Sequence, residues 1–161
     1  MLRTMLLRCL LVGAALGPAA LHADEAVWSL LRSGGQVVLL RHDATDPGVG
    51  DPPGMKLDDC STQRNLSEAG RAHARRLGEA LRSRAVPVAA VQASPWCRCL
   101  ETARLVFGRA GDVQPALGNL FMVTHGSTIH ALTGVSPGMG ELVVLAPQAG
   151  GFRVAGRLSV P

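Results

Sequence analysis

The apolar positions of this chain fall into two periods, short continuous runs and longer stripes at helical spacing. "QVVLL" at 36–40 follows "SGG" and has the pattern of a strand buried on both faces, ending on Arg41, His42 and Asp43. From Asp43 to Asp59 the chain is rich in Pro, Gly and Asp and reads as a long loop. Ser67 is placed to cap a helix through "EAGRAHARRLGEALRSR", where Ala69, Ala72, Leu77, Ala80 and Leu81 form a stripe against an arginine-rich face and Pro87 marks the end. "VAAVQAS" (88–94) is a second strand, and Pro95 opens a helix through "RCLETARLVF" that stops at Gly108. "NLFMVTHG" (119–126) is again an apolar strand with a polar tip, followed by a short helix, "STIHALTG", with Ser127 as its cap. "ELVVLAP" (141–147) and "GFRVAGRLSV" complete the pattern as a fourth strand and a fifth at the edge.

Strands alternating with helices predict an α/β fold, a three-layer α/β/α arrangement with a mostly parallel central sheet covered on both faces. Ligands of such sheets bind beyond the carboxyl ends of the strands. Three strand ends then bring Arg41 and His42, Ser94 with nearby Arg98, and Thr124 with His125 to one crevice. No internal repeat is visible, and 161 residues fit one core.

Composition narrows the classes. Aromatic residues make up 3% with no tyrosine, so the core must rest on Leu, Val and Ala, and a stacking platform for nucleic acid is not expected. The amino-terminal "MLRTMLLR", "CLLVGAALGPAA" and "LHA" read in order as a basic region, an apolar run too short to span a bilayer comfortably, and a cleavage site. We therefore expect a signal peptide over residues 1–23, one domain over 24–161, a periplasmic or secreted location, and no membrane anchor after cleavage. Losing Arg3 and Arg8 with the signal removes two charges from the formal net charge of +4, so the basic balance does not require a nucleic-acid partner. The remaining chain keeps Cys60, Cys97 and Cys99. In an oxidising compartment Cys60 should pair with Cys97 or with Cys99, leaving one thiol over. The C-x-C spacing does not suit a zinc site, so no metal or other cofactor is expected.

Two arginines and two histidines on one rim suit a compact, multiply charged anion, and phosphate is the natural candidate because the guanidinium fork matches its oxygens. Arg98 also falls in the first turn of a helix, where backbone N–H groups favour an anion. His73, in the arginine-rich helix, and His130, after "THG", read as surface or packing residues.

With these residues in place the chain resembles the histidine phosphatase superfamily, also called phosphoglycerate mutase-like, over residues 36 to 146. "RHDAT" resembles the family's Arg-His-Gly-x-Thr at Arg41, His42 and Thr45, "SPWCRCLETA" supplies Arg98 as the second phosphate-binding arginine, and "THG" supplies His125 as the second histidine. "NLSEAGRAHARRLGEAL" is similar to the family's first helix. The resemblance implies a phosphomonoester hydrolase in which His42 attacks phosphorus and forms a phosphohistidine, while Arg41, Arg98 and His125 hold the phosphoryl oxygens. Thr45 would bind the phosphate or order the loop.

The chain departs from the family in three respects. Asp43 stands where glycine is usual. No residue takes the place of the general acid, and Glu101, Asp112, Asp43, Asp46, Asp51 and Glu141 are weak substitutes. The segment "GRAGDVQPALGNL" between Arg98 and His125 is short, which implies a poorly covered sheet face and reduced activity. A non-catalytic phospholigand-binding or scaffold domain of the same fold is therefore the alternative. The expected partner is a small phosphorylated substrate; its identity and the oligomeric state have no signature in the sequence.

Overall fold

The computed structural model describes residues 18–108 and 118–161. Five strands form one sheet: β1 (Val37–Arg41), β2 (Val88–Ala93), β3 (Asn119–Thr124), β4 (Leu142–Gln148) and β5 (Gly151–Leu158), in the order β2-β3-β1-β4-β5. The helices are α1 (Pro18–Ser33), α2 (Glu68–Ser83), α3 (Cys97–Phe107) and α4 (Gly126–Thr133), with a short 3-10 turn at Cys60–Thr62. β1 and β2 both run parallel to β3, but β4 pairs antiparallel with β1 and β5 antiparallel with β4. The sheet is thus mixed, not mostly parallel as expected. The connection is the cause: the chain returns after α4 to the rim it left, where Gly140 N–H donates to Arg41 O at 3.2 Å, so β4 enters the sheet from that rim.

Alternation along the strands sends side chains to two faces. Val38 and Leu40, Phe121 and Val123, and Leu142 and Val144 pack with Leu31 of α1, Leu77 of α2 and Val106 of α3. On the other face Leu39, Val143 and Leu145 meet only one buried helical residue, Ile129 of α4. Among the described residues, three helices therefore cover one face and a single short helix the other, where Leu132 and Phe152 are exposed. Residues 109–117 of the short central segment, from which a thin cover is expected, lie outside the described residues.

α1 extends past the expected signal segment and has no counterpart among the elements predicted from sequence. Val27, Trp28 and Leu31 recur at helical spacing and are buried. The expected cleavage point after Ala23 falls within this helix and ahead of these core contacts. Ser67 caps α2 as its sequence suggests, accepting from Gly70 N–H. α4 differs in detail, since its N-cap is His125 rather than Ser127 and carries no side-chain cap bond. None of the described helices is long and apolar enough to cross a membrane.

Candidate active site

Parallel pairing of β1, β2 and β3 puts their carboxyl ends on one rim, and the start of β4 joins them there. The backbone fixes this rim tightly: His42 N–H donates to Thr124 O, Ser94 N–H to Val123 O, and Arg41 N–H to Glu141 O. Beyond it lies a cavity of about 660 Å3 walled by Arg41, His42, Arg64, Trp96, Arg98 and His125, with Gly126, Ser127, His130, Ser136 and Pro137 towards α4 and the following loop. Arg41, His42, Arg98 and His125, named from sequence, are brought together here. Arg64, Trp96 and His130 were not named for the site.

His42 is buried, and its Nδ1 lies 2.9 Å from the backbone oxygen of Asp43. A carbonyl only accepts, so Nδ1 carries the proton and Nε2 keeps its lone pair. Burial lowers the His42 pKa to about 4, against the pull of the Asp43 carbonyl bond, and the charges of Arg98, His125 and Arg41 act in the same direction as burial. The ring is therefore neutral and nucleophilic at ordinary pH. His125 stands edge-on to it, with ring centroids 5.3 Å apart. The pKa of His125 is also lowered, first by burial and then by Arg98, so this ring too is neutral and suited to hydrogen-bonding a phosphoryl oxygen. Its Nε2 lies 3.4 Å from Ser94 Oγ and 3.7 Å from Cys99 Sγ.

Three arginines converge on the cavity, and each keeps a buried Nε without a hydrogen-bond partner among the described residues. Unsatisfied buried donors of this kind cost about 1–3 kcal/mol each and mark a surface built to receive acceptors. Arg41 is anchored by donating from Nη1 to Pro137 O at 2.8 Å, and its guanidinium packs so closely on Gly126 that a Cβ there would lie 3.2 Å from Nε. Arg98 is sandwiched between Trp96, whose ring centroid is 4.4 Å from its Cζ, and Asp51, whose Oδ1 accepts from Nη1 at 2.9 Å. Burial alone would raise the Asp51 pKa, but the Arg64 N–H bond and then the bond and charge of Arg98 outweigh it and hold the carboxyl below its ordinary range. Asp51 is thus an ionised partner of Arg98 and a poor proton donor.

Arg64 owes its place to the long loop. Asp51 accepts from its N–H at 3.0 Å, and a disulfide between Cys60 and Cys97 ties the loop to the start of α3. Gln63 reinforces the tie by accepting from Cys97 N–H at 2.9 Å. The first turn of α3 is partly used in this way, because Cys99 N–H also donates to Trp96 O. The amino end of α4, at Gly126 and Ser127 on the cavity wall, is the freer helix terminus for an anion. Cys99 is the leftover cysteine; buried, with its thiol pushed up to about 11 by that burial, it is chemically quiet.

The remaining residues named from sequence do not line the cavity. Thr45 is buried and bridges Leu66 through its backbone, which orders the loop. Asp43 turns its carboxylate to His73 Nδ1 at 2.6 Å and to Ala44 N–H. His73, read as a surface or packing residue, is in fact its partner. Glu101 holds Arg71 at 2.7 Å, Glu141 is bidentate with Arg157, Asp46 is exposed, and Asp112 lies outside the described residues. Thr102, not anticipated, links the site to α3 by accepting from Asp43 N–H and donating to Arg98 O. Among the described residues no group of three or more His, Cys, Asp or Glu is arranged to hold a metal ion.

The sequence profile of the histidine phosphatase superfamily (branch 1) matches residues 37–117, half of the chain, taking in Arg41, His42 and Arg98. The chain belongs to this superfamily. No curated protein matches it significantly. Among solved structures, an Agrobacterium tumefaciens protein assigned to the SixA phosphohistidine phosphatases superposes with a TM-score of 0.55 at 20% identity, covering 78% of this chain and 98% of its own. A protein histidine phosphatase SixA complexed with tungstate gives 0.57 at 15%, covering 77% and 96%. Phosphoserine phosphatase from Entamoeba histolytica, in complex with 3-phosphoglyceric acid, gives 0.55 at 14%, covering 78% and 97%. At these identities the likeness is one of fold, and it agrees with the mixed sheet described above.

Proposed function

We propose that the protein is a phosphomonoester hydrolase that works through a phosphohistidine on His42. The observation that carries this reading is the His42 ring, held by Asp43 O with Nε2 free and neutral on a wall shared with Arg41, Arg64 and Arg98. Nε2 attacks phosphorus in line, the arginines and His125 hold the equatorial oxygens, and water then hydrolyses the N–P bond. The superfamily assignment supports the chemistry, and tungstate in one similar structure is an oxyanion of the kind such a cradle accepts. With no carboxylate among the described residues of its walls, the cavity favours phosphoryl groups on good leaving groups, in keeping with the phosphohistidine chemistry named for two similar structures. Export after removal of residues 1–23 is part of the proposal, and the Cys60–Cys97 disulfide supports it because such bonds persist in oxidising compartments.

The test is hydrolysis of p-nitrophenyl phosphate by wild type and His42→Ala. Turnover that vanishes in the variant, with a phosphoenzyme trapped by acid quench in wild type, is expected. No turnover by folded wild type, or full turnover by His42→Ala, would sink the proposal. A second reading, a phospholigand-binding domain without turnover, draws on Asp51 occupying Arg98 and on the lack of a carboxylate among the described wall residues. Vanadate binding by calorimetry without any hydrolysis would select it. Fractionation of expressing cells with mass analysis of the product tests export and the cleavage after Ala23.

A further inference from the structure

An in-line displacement places the leaving oxygen on the side of phosphorus away from the nucleophile. With His42 buried at the floor, that oxygen faces the mouth of the cavity, where the exposed wall belongs to α4 and the loop after it. Among the described residues each nearby carboxylate is engaged elsewhere: Asp43 with His73, Asp51 with Arg98, Glu101 with Arg71 and Glu141 with Arg157. Among the described wall residues the groups able to exchange a proton in the neutral range are histidines, and two of these are committed. His42 is the nucleophile, and His125 is kept neutral by burial and by Arg98. His130 is left. It is exposed on α4, one turn beyond Gly126, and its Nδ1 lies 3.2 Å from Ser136 Oγ. Ser136 Oγ can accept from Nδ1–H, which fixes the ring and leaves Nε2–H for a ligand in the cavity.

We infer that His130 is the proton donor to the leaving group, an inference that rests on the hydrolase reading above. As the bond from His42 Nε2 to phosphorus forms and the bond from phosphorus to the ester oxygen breaks, the Nε2 proton of the His130 imidazolium moves onto that oxygen and the alcohol departs. In the second half the neutral His130 takes a proton from water as the water oxygen bonds phosphorus and the His42 N–P bond breaks. Inorganic phosphate leaves, and His130 is an imidazolium again. The histidine thus occupies the role for which the sequence offers no acid, and it widens the substrate class from activated esters to alkyl phosphates.

The experiment compares kcat/KM, which reports the steps up to departure of the alcohol and not the hydrolysis common to all substrates, on p-nitrophenyl phosphate, whose leaving group needs no proton, and on glycerol 2-phosphate, whose leaving group does. For His130→Asn the alkyl rate should fall about 100-fold or more, the scale of general acid catalysis, and the aryl rate less than tenfold. His130→Asp, which restores a proton carrier, should recover part of the alkyl rate, and Ser136→Ala should lose a smaller part of it. Unchanged vanadate affinity shows that the variants keep the cradle. Equal losses on both esters, no loss on either, aryl-only activity in wild type, or a leaving-group-selective loss in Asp112→Asn instead would overturn the inference. Wild type inactive on both esters would overturn the hydrolase reading itself.

Discussion

Asp43 and His73 are locked together, Oδ2 to Nδ1 at 2.6 Å, and neither side chain lines the cavity. The carboxylate that follows the nucleophile, which from sequence threatens to repel a phosphate, is therefore neutralised by α2. The other ring nitrogen of His73 donates to Val160 O at 2.7 Å, so the same histidine joins the nucleophile loop to the end of the chain. Gly140, with φ 71°, makes room for the pair: a Cβ there would lie 2.5 Å from His73 Cε1 and 2.8 Å from Asp43 Oδ2.

Removing one partner of this pair should cost more than removing both. His73→Ala strands a buried carboxylate and is expected to destabilise by about 3 kcal/mol. Asp43→Ala should cost less, and the double variant less than His73→Ala alone. A double-mutant cycle by urea denaturation measures the coupling, and strict additivity would show the contact to be idle.

The depressed pKa of His42 sets both an activity limit and a stability slope. Neutral His42 is the attacking form, so the acid limb of kcat/KM on p-nitrophenyl phosphate should lie near pH 4 instead of the 6.5 of an ordinary histidine. In the unfolded chain the ring binds a proton from about pH 6.5 downwards, whereas the folded ring resists until about 4. Stability from this group is thus complete above 6.5 and lost as pH falls towards 4, by an amount on the order of 3 kcal/mol. His42→Gln should make that part of the stability curve shallower, while the lowered His125 keeps part of the same decline and the lowered carboxyls of Asp51 and Glu141 leave a further one below it. Chemical denaturation across pH 4–7 on both proteins checks the difference.

Asp51 competes with an anion for Arg98. Asp51→Asn keeps an oxygen to accept from Arg64 N–H and Arg98 Nη1 but removes the charge, so inhibition by inorganic phosphate should tighten severalfold, about 1 kcal/mol. Weaker inhibition would mean that the carboxylate positions Arg98 more than it opposes the ligand.

The Cys60–Cys97 bond closes a loop with a sequence separation of 37. Chain entropy assigns such a bond about 4 kcal/mol, and reduction should lower the melting temperature by on the order of 10 °C. Phosphate inhibition should weaken in the same samples, because Arg64 reaches the site from within that loop. Calorimetry with and without dithiothreitol follows both effects.

The parts of the site that were legible in sequence are those whose position follows from their own element. Arg41 with His42, Arg98 and His125 each sit at or just past a strand end, and a buried apolar run announces where that end is. Arg64 belongs to a loop without periodicity, and its place depends on Asp51 and on a disulfide whose partner the sequence left open. Thr45 shares a motif with His42, yet the fold uses it for a bridge to Leu66. The direction of β4 was illegible for another reason: an apolar strand reads the same either way, and the turn back to Arg41 decides it. α1 was illegible because Val27, Trp28 and Leu31, although at helical spacing, follow directly on a longer apolar run that masks their period.

The place of β1 in the sheet bears on when the site can exist at all. Its neighbours are β3 on one side and β4 on the other, both from the last third of the chain, and Val160 O completes the support behind Asp43. Such distant pairings make folding slow relative to a chain of local contacts, and β1 has no strand partner until β3 and β4 are made. A nascent or prematurely terminated chain therefore carries His42 without its cradle, so competence for chemistry arrives only with the carboxyl terminus.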